Sequence, residues 1–224
     1  VLFAGLVWDG CAGSGASTNG ITVDLRLVST ASTTQGSVAG GGQRLLGTGW
    51  VTVSQVTLVR CAGQAWRWER VLSPLTVAWA HGESSPLAVA VPHVLDVMAA
   101  RQLEAGTFSP APGRYCQVRV TFSPADADAN GLAQADAMMG RVLRLTGSQD
   151  GAPFEAVASQ EHTVALELRN AAGDVEALTV DAARNHAVVQ VTLPDVFPLL
   201  GSSLLDGVAV LHHIAGACTA KVLP

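Results

Sequence analysis

The chain has almost no lysine. Lys221 is alone among 13 basic residues, and the arginines are scattered along the 224 positions rather than clustered. Binding to nucleic acid needs a concentrated positive surface, and a net charge of −5 with no basic tract argues against that class of partner. Charged residues make up only 14% of the chain and apolar ones 49%, so it can bury a sizeable core and is not a disordered segment. No apolar run approaches the roughly 20 residues of a membrane-spanning helix. Catalytic signatures are missing too. There is no GxSxG elbow, no HExxH, no phosphate-binding Walker loop and no GxGxxG after a strand, and no serine stands out as a nucleophile. The expectation is a protein without catalytic activity of its own. The Ala/Val/Arg-rich, lysine-poor composition suggests a GC-rich bacterial origin.

Cysteine is scarce but placed in an informative way. Cys11, Cys61, Cys116 and Cys218 form no CxxC and no zinc-finger spacing. Four widely spaced cysteines in a β-rich chain fit an oxidising compartment, which predicts an extracytoplasmic location: periplasm, outer membrane or secreted. Of the three connectivities, the expected one joins Cys61 to Cys116, which border strand-like segments, and Cys11 to Cys218, which lie near the two ends. Residues 1–19 allow two readings. "VLFAGLVWDGCAGSG" reads as an edge strand leading to a disulfide-bonded Cys11, or as a lipoprotein tether with Cys11 lipidated and the chain anchored to a membrane. Trp8-Asp9-Gly10 is a poor match to the small apolar residues expected before a lipidated cysteine, so the edge strand is preferred.

What is abundant is alternation with period two. "ITVDLRLV" sets Ile21, Val23, Leu25 and Leu27 opposite Thr22, Asp24 and Arg26. "CQVRVTF", "HTVALELRN" and "NHAVVQVTL" repeat the pattern around Val118 to Phe122, Val164 to Leu168 and Val189 to Leu193. These are half-buried strands with one apolar face. In "WVTVSQVTLVR" the apolar parity changes, which predicts a β-bulge near Ser54-Gln55. Further strands are expected at "AWRWERV", "PLTVAWA", "LAVAV", "GRVLRLTG" and "DVEALTV". "NAAGD" (170–174) predicts a hairpin, Ser29 to Gly42 a flexible loop, and "HVLDVMAARQLEAG" a short helix. "LLGSSLLDGVAVLHH" is open between helix and apolar strand. The fold expected for residues 20–224 is an all-β, antiparallel β-sandwich of immunoglobulin-like or transthyretin-like type. It has long loops and at most one or two short helices, and a split into two smaller sandwiches near 123–137 is the alternative.

The order "GWVTVSQVTLV", "LEAGTFSPAPGRYCQVRV", then "VALELRN" and "VEALTVDAARNHAVVQVTL" resembles secreted bacterial lipoproteins of the transthyretin-like type, over roughly Gly49 to Leu193. That resemblance implies an extracytoplasmic β-sandwich associated with the cell envelope. It brings no catalytic residues.

Three sets of residues are candidates for chemistry. In "SPADADANGL", Asp126, Asp128 and Asn130 alternate before Gly131. They could supply side-chain ligands to calcium, with the Leu132 carbonyl following and Asp136 closing the loop. No glutamate stands at the twelfth position, so this is not an EF-hand. The competing reading is a polar connector built on Asx turns. The second set is the adjacent pair His212 and His213. Neighbouring side chains diverge on either a strand or a helix, so a copper site would need one of them with His81, His93 or Met98. Met138 and Met139 read better as core filler. The third set is Trp66 and Trp68 on one strand face, which suit a buried core better than a platform for sugars. The function expected is a binding or structural module of the bacterial cell envelope, for an unidentified protein or small-molecule ligand. A periplasmic copper-handling protein is the alternative.

Overall fold

The computed structural model describes residues 20–38, 42–62, 85–132, 136–199 and 206–223. The N-terminal stretch with Cys11, the strands expected around Trp66, Trp68 and "PLTVAWA", and His81 lie outside these residues.

Fourteen strands are described: β1 (Thr22–Ser29), β2 (Gln35–Val38), β3 (Gly42–Val53), β4 (Gln55–Arg60), β5 (Ala88–Val89), β6 (His93–Asp96), β7 (Arg101–Phe108), β8 (Gly113–Phe122), β9 (Leu143–Gln149), β10 (Ala152–Ala158), β11 (His162–Arg169), β12 (Leu178–Val180), β13 (His186–Leu193) and β14 (Thr219–Leu223). One α-helix, α1 (Gly207–Ala217), precedes β14. The chain is therefore mostly β, as its periodicity predicts.

The arrangement is not the expected antiparallel sandwich. Nine strands form one mixed sheet in the order β5-β4-β8-β11-β14-β13-β1-β7, with β12 also paired to β8. This sheet curls until its ends nearly meet. Gly106 of β7 lies against the Val89 side chain of β5, and the Ser109 N–H donates to the Pro86 carbonyl at 2.9 Å. A side chain at Gly106, where φ is +149°, would block that approach. Two neighbouring pairs, β1 with β13 and β11 with β14, are parallel. The other five strands form a smaller sheet in the order β10-β9-β3-β2, with β6 on the far end of β3.

The parity change in "WVTVSQVTLVR" marks where the chain passes from one sheet to the other. Val51 and Val53 are buried from β3 in the smaller sheet, Val56 and Leu58 from β4 in the barrel-like sheet. Between them Ser54 leaves both ladders, and its N–H and hydroxyl both donate to the Thr121 carbonyl. One hydrophobic cluster takes the alternating residues of both sheets, from Ile21, Leu25 and Val51 through Phe108, Phe122 and Leu145 to Leu168, Val191 and Ala220.

Several local expectations are corrected. Residues 93–106 form β6 and most of β7 rather than a helix, because His93 to Asp96 pair with the end of β3. Ser29 to Gly42 contains β2, which pairs with the start of β3. "NAAGD" does turn as a short hairpin, with the Asn170 N–H donating to the Asp174 carbonyl and Arg169 bridged antiparallel to Val175, but the pairing goes no further than the Glu176 N–H on the Leu168 carbonyl. β12 instead resumes pairing on the same edge of β8 that β11 has just left. In "LLGSSLLDGVAVLHH" the part from Gly207 onward is helix, and residues 200–205 lie outside the described residues. Asp206 caps α1 by accepting from the N–H groups of Val208 and Ala209, at 2.9 and 3.4 Å. Gly207, Val210, Leu211, Ile214 and Ala215 form its buried stripe.

Cys61 and Cys116 form the expected disulfide, joining the end of β4 to β8. Cys218 is a buried free thiol that donates to the Ile214 carbonyl at 3.2 Å, and Cys11, its expected partner, lies outside the described residues. Cys218 meets the last turn of α1 from inside the core. The "PGRY" phrase has a structural role as well. Tyr115 is fully buried, and its hydroxyl folds back to donate to the Ala111 carbonyl at 2.8 Å.

Candidate functional site

A cleft follows from the excursion of residues 170–177. β11 pairs with β14 only through Leu168–Ala220 and Arg169–Lys221. The chain then swings out at Asn170 and returns as β12, and among the described residues no strand pairs with Val222 and Leu223 on that side. The cleft, of about 600 Å³, occupies the gap. Its apolar surface comes from Leu178, Ala187, Val222 and Leu223. Asn170, Glu176, Thr179, Arg184, Asn185 and His186 supply its polar groups.

Both ends of this frame are pinned. The excursion is held by Asn170, whose Oδ1 accepts from the Asp174 N–H at 3.0 Å, and by Arg169, whose guanidinium donates to the Gly173 carbonyl at 2.8 Å. The opposite rim is the turn 181–184. There the Asp181 carboxylate accepts from the backbone N–H groups of Arg184 and Ala183, both at 2.8 Å, and these bonds hold its pKa below the usual carboxylate value. Next to this rim, His186 Nε2 lies 3.2 Å from Asp24 Oδ2, while Asp24 Oδ1 accepts from the Thr107 hydroxyl at 2.9 Å. β1 and β13 run parallel with Thr22 opposite His186, so Asp24 sits one step diagonally away on the same outer face.

The lining offers amide, guanidinium, carboxylate, imidazole and one hydroxyl, from Thr179. No serine, cysteine or lysine is among the lining residues. Such a set can recognise a ligand by hydrogen bonds and charge over an apolar floor, as small-molecule sites commonly do.

The sequence-selected residues lie elsewhere. In the stretch 123–132, Asp126 Oδ1 accepts from the Asp128 N–H at 3.1 Å, and the Ala129 N–H returns to the Asp126 carbonyl. That is the Asx turn of the connector reading. The backbone of Asn130 is tied to the segment before β6 and to β6 itself, donating to the Pro92 carbonyl and accepting from the Val94 N–H. Leu132 is buried in a small cluster with Val94, Ala125, Ala129 and Met138. The side chain of Asp136 lies outside the described residues. Among the described residues no three His, Cys, Asp or Glu side chains are grouped so that they could hold a metal ion.

The histidines separate into distinct environments. His93 is buried; its Nε2 lies 3.2 Å from the Ala105 carbonyl, its Nδ1 has no partner among the described residues, and burial lowers its pKa. Met98 is half-buried against the main core and Met138 is fully buried. His212 and His213 are both exposed on α1. The ring that meets His212 is none of the expected partners but His162, the first residue of β11, with ring centres 4.3 Å apart. That contact depends on α1 packing across β10 and β11, which no local pattern encodes. The cleft was equally hidden, because its polar residues sit at strand ends where solvated residues are ordinary.

No protein-family model, curated protein or solved structure matches the chain.

Proposed function

We propose that the protein is an extracytoplasmic bacterial binding module of the cell envelope. Its ligand is a small organic molecule, with polar groups on an apolar frame, held in the cleft between the 170–177 excursion and the 181–184 turn. The observation that carries this reading is the cleft itself: about 600 Å³, floored by Leu178, Ala187, Val222 and Leu223, and rimmed by Glu176 and Arg184. A carboxylate on one side and a guanidinium on the other suit a ligand with hydrogen-bonding or zwitterionic groups, and the apolar lining adds burial energy. The location is supported by the Cys61–Cys116 disulfide, which persists in oxidising compartments. The resemblance to secreted transthyretin-like lipoproteins points to the same location.

The test is a thermal-shift screen of amino acids, short peptides and saccharides. Ala177→Trp, which fills the cleft, and Arg184→Glu, which reverses a rim charge, serve as controls. A ligand that stabilises the unmodified protein and not these variants supports the reading. A ligand that stabilises all three equally, or a screen in which nothing binds, removes it and leaves a structural role.

A further inference from the structure

We propose that His162 and His212 form a chelating site for one first-row divalent metal ion, copper(II) binding more tightly than zinc. The site is independent of the cleft. His162 begins β11 and is half-exposed, while His212 is exposed on α1. Their rings are the one imidazole pair in contact among the described residues, with centres 4.3 Å apart and planes inclined by 32°.

The spacing is the argument. A nitrogen–metal bond of about 2.0–2.1 Å places an imidazole centre roughly 3.2 Å from the ion, so two rings bound side by side have centres about 4.5 Å apart at a right angle and about 5 Å apart at a tetrahedral angle. The observed separation is within a few tenths of an ångström of the first value. A chelate requires the ring nitrogens to turn toward one point, and both rings reach the surface, His212 exposed and His162 half-exposed. The rings are also free to ligate. Neither makes a hydrogen bond among the described residues, in contrast to His93 on the Ala105 carbonyl and His186 on Asp24. His213 diverges from His212 by about 100° around the helix and is not part of the pair. Water completes the coordination. Imidazole nitrogen suits copper(II), nickel(II) and zinc, and affinity rises toward copper(II) in that series.

The experiment titrates tag-free, metal-stripped protein with copper(II) chloride and, separately, zinc chloride. It follows binding by calorimetry and the copper complex by electron paramagnetic resonance. One ion per chain is expected, with nitrogen hyperfine structure from two imidazoles and weaker binding of zinc. His162→Gln and His212→Gln should each weaken binding by about tenfold or more, because the second imidazole binds intramolecularly. His213→Gln should leave it within about twofold of the unmodified protein, well short of the tenfold that about 1.4 kcal/mol represents. Circular dichroism of each variant checks folding; should His162→Gln unfold, His212→Gln at its exposed helix position decides alone. Binding unchanged in both pair variants, binding abolished by His213→Gln instead, or no binding of either ion would overturn the proposal.

Discussion

Two glycines on α1 should respond to the same substitution with opposite signs. Gly207 opens the helix and is pressed against β10. A Cβ built there would collide with the backbone N, C and O atoms of Val157. Those atoms belong to the β10–β9 pairing, which matches Ala152–Ala158 with Leu143–Gln149, and they cannot turn aside as a flexible side chain would. Relief requires α1 to lift, which withdraws Val210, Leu211 and Ile214 from the core. Overpacking of this kind costs about 1–3 kcal/mol, and a backbone obstacle places Gly207→Ala at the upper end. Gly216 lies two turns further on, with open space where a Cβ would go. Gly216→Ala should gain about 0.4–1 kcal/mol, chiefly by restricting the unfolded chain. Urea denaturation followed by circular dichroism gives both values. Thermal melts should agree, at about 2–4 °C per kcal/mol for a chain of this size. Equal tolerance of the two alanines, or a loss at Gly216, would mean that α1 does not dock on β10 as described.

Three further outcomes are expected. Leu166→Asp should be severely destabilising, because Leu166 is buried in β11 and an unpaired charge there has no compensation, while Glu167→Ala on the exposed face should be nearly silent; chemical denaturation of the two checks the strand phase. Replacing Cys61 and Cys116 together by serine should lower stability by up to about 4 kcal/mol on the chain-entropy model. The bridge closes a separation of 55 residues, and non-reducing peptide mapping with unfolding of the variant measures the effect. Burial lowers the pKa of His93 from 6.5, so the unfolded chain binds more protons below that value. Stability is therefore full above about pH 6.5 and falls as the pH drops toward the folded value, and urea midpoints across pH 7.5 to 5 should show a shallower fall in His93→Gln.

The strand phases were legible because burial of one face imposes a period of two on the local sequence. Leu25, Val120, Leu168 and Val191 are all buried as their positions demand. Which strand lies beside which was not legible, because pairing is a long-range outcome. The alternation of β1 and β13 is the same whether they run parallel or antiparallel, so a mixed, nearly closed sheet and a sandwich read alike. The parity slip at Ser54 was visible, but a bulge within one sheet and a passage between two leave the same trace. His93 to Gly106 carried helix-like spacing that pairing with the edges of β3 and β1 overrode. Asp206 followed by Gly207 was a readable helix start that could have settled the segment containing His212. The contact between His212 and His162, like the cleft beside β14, arises only when distant segments pack.

The free thiol of Cys218 shares its molecule with a disulfide, and an oxidising surrounding makes that combination hazardous. Exchange begins with a thiolate attacking sulfur, and it needs access as well as charge. In the folded protein Cys218 has neither. Burial pushes its pKa up to about 12, so at pH 7 the thiolate fraction is on the order of one in 100,000. The helix end therefore works as a safety catch on covalent scrambling that engages only once α1 has docked. Until then three sulfurs compete among the described segments, and Cys61 and Cys116 find each other first only if β4 and β8 pair before the chain is fully oxidised.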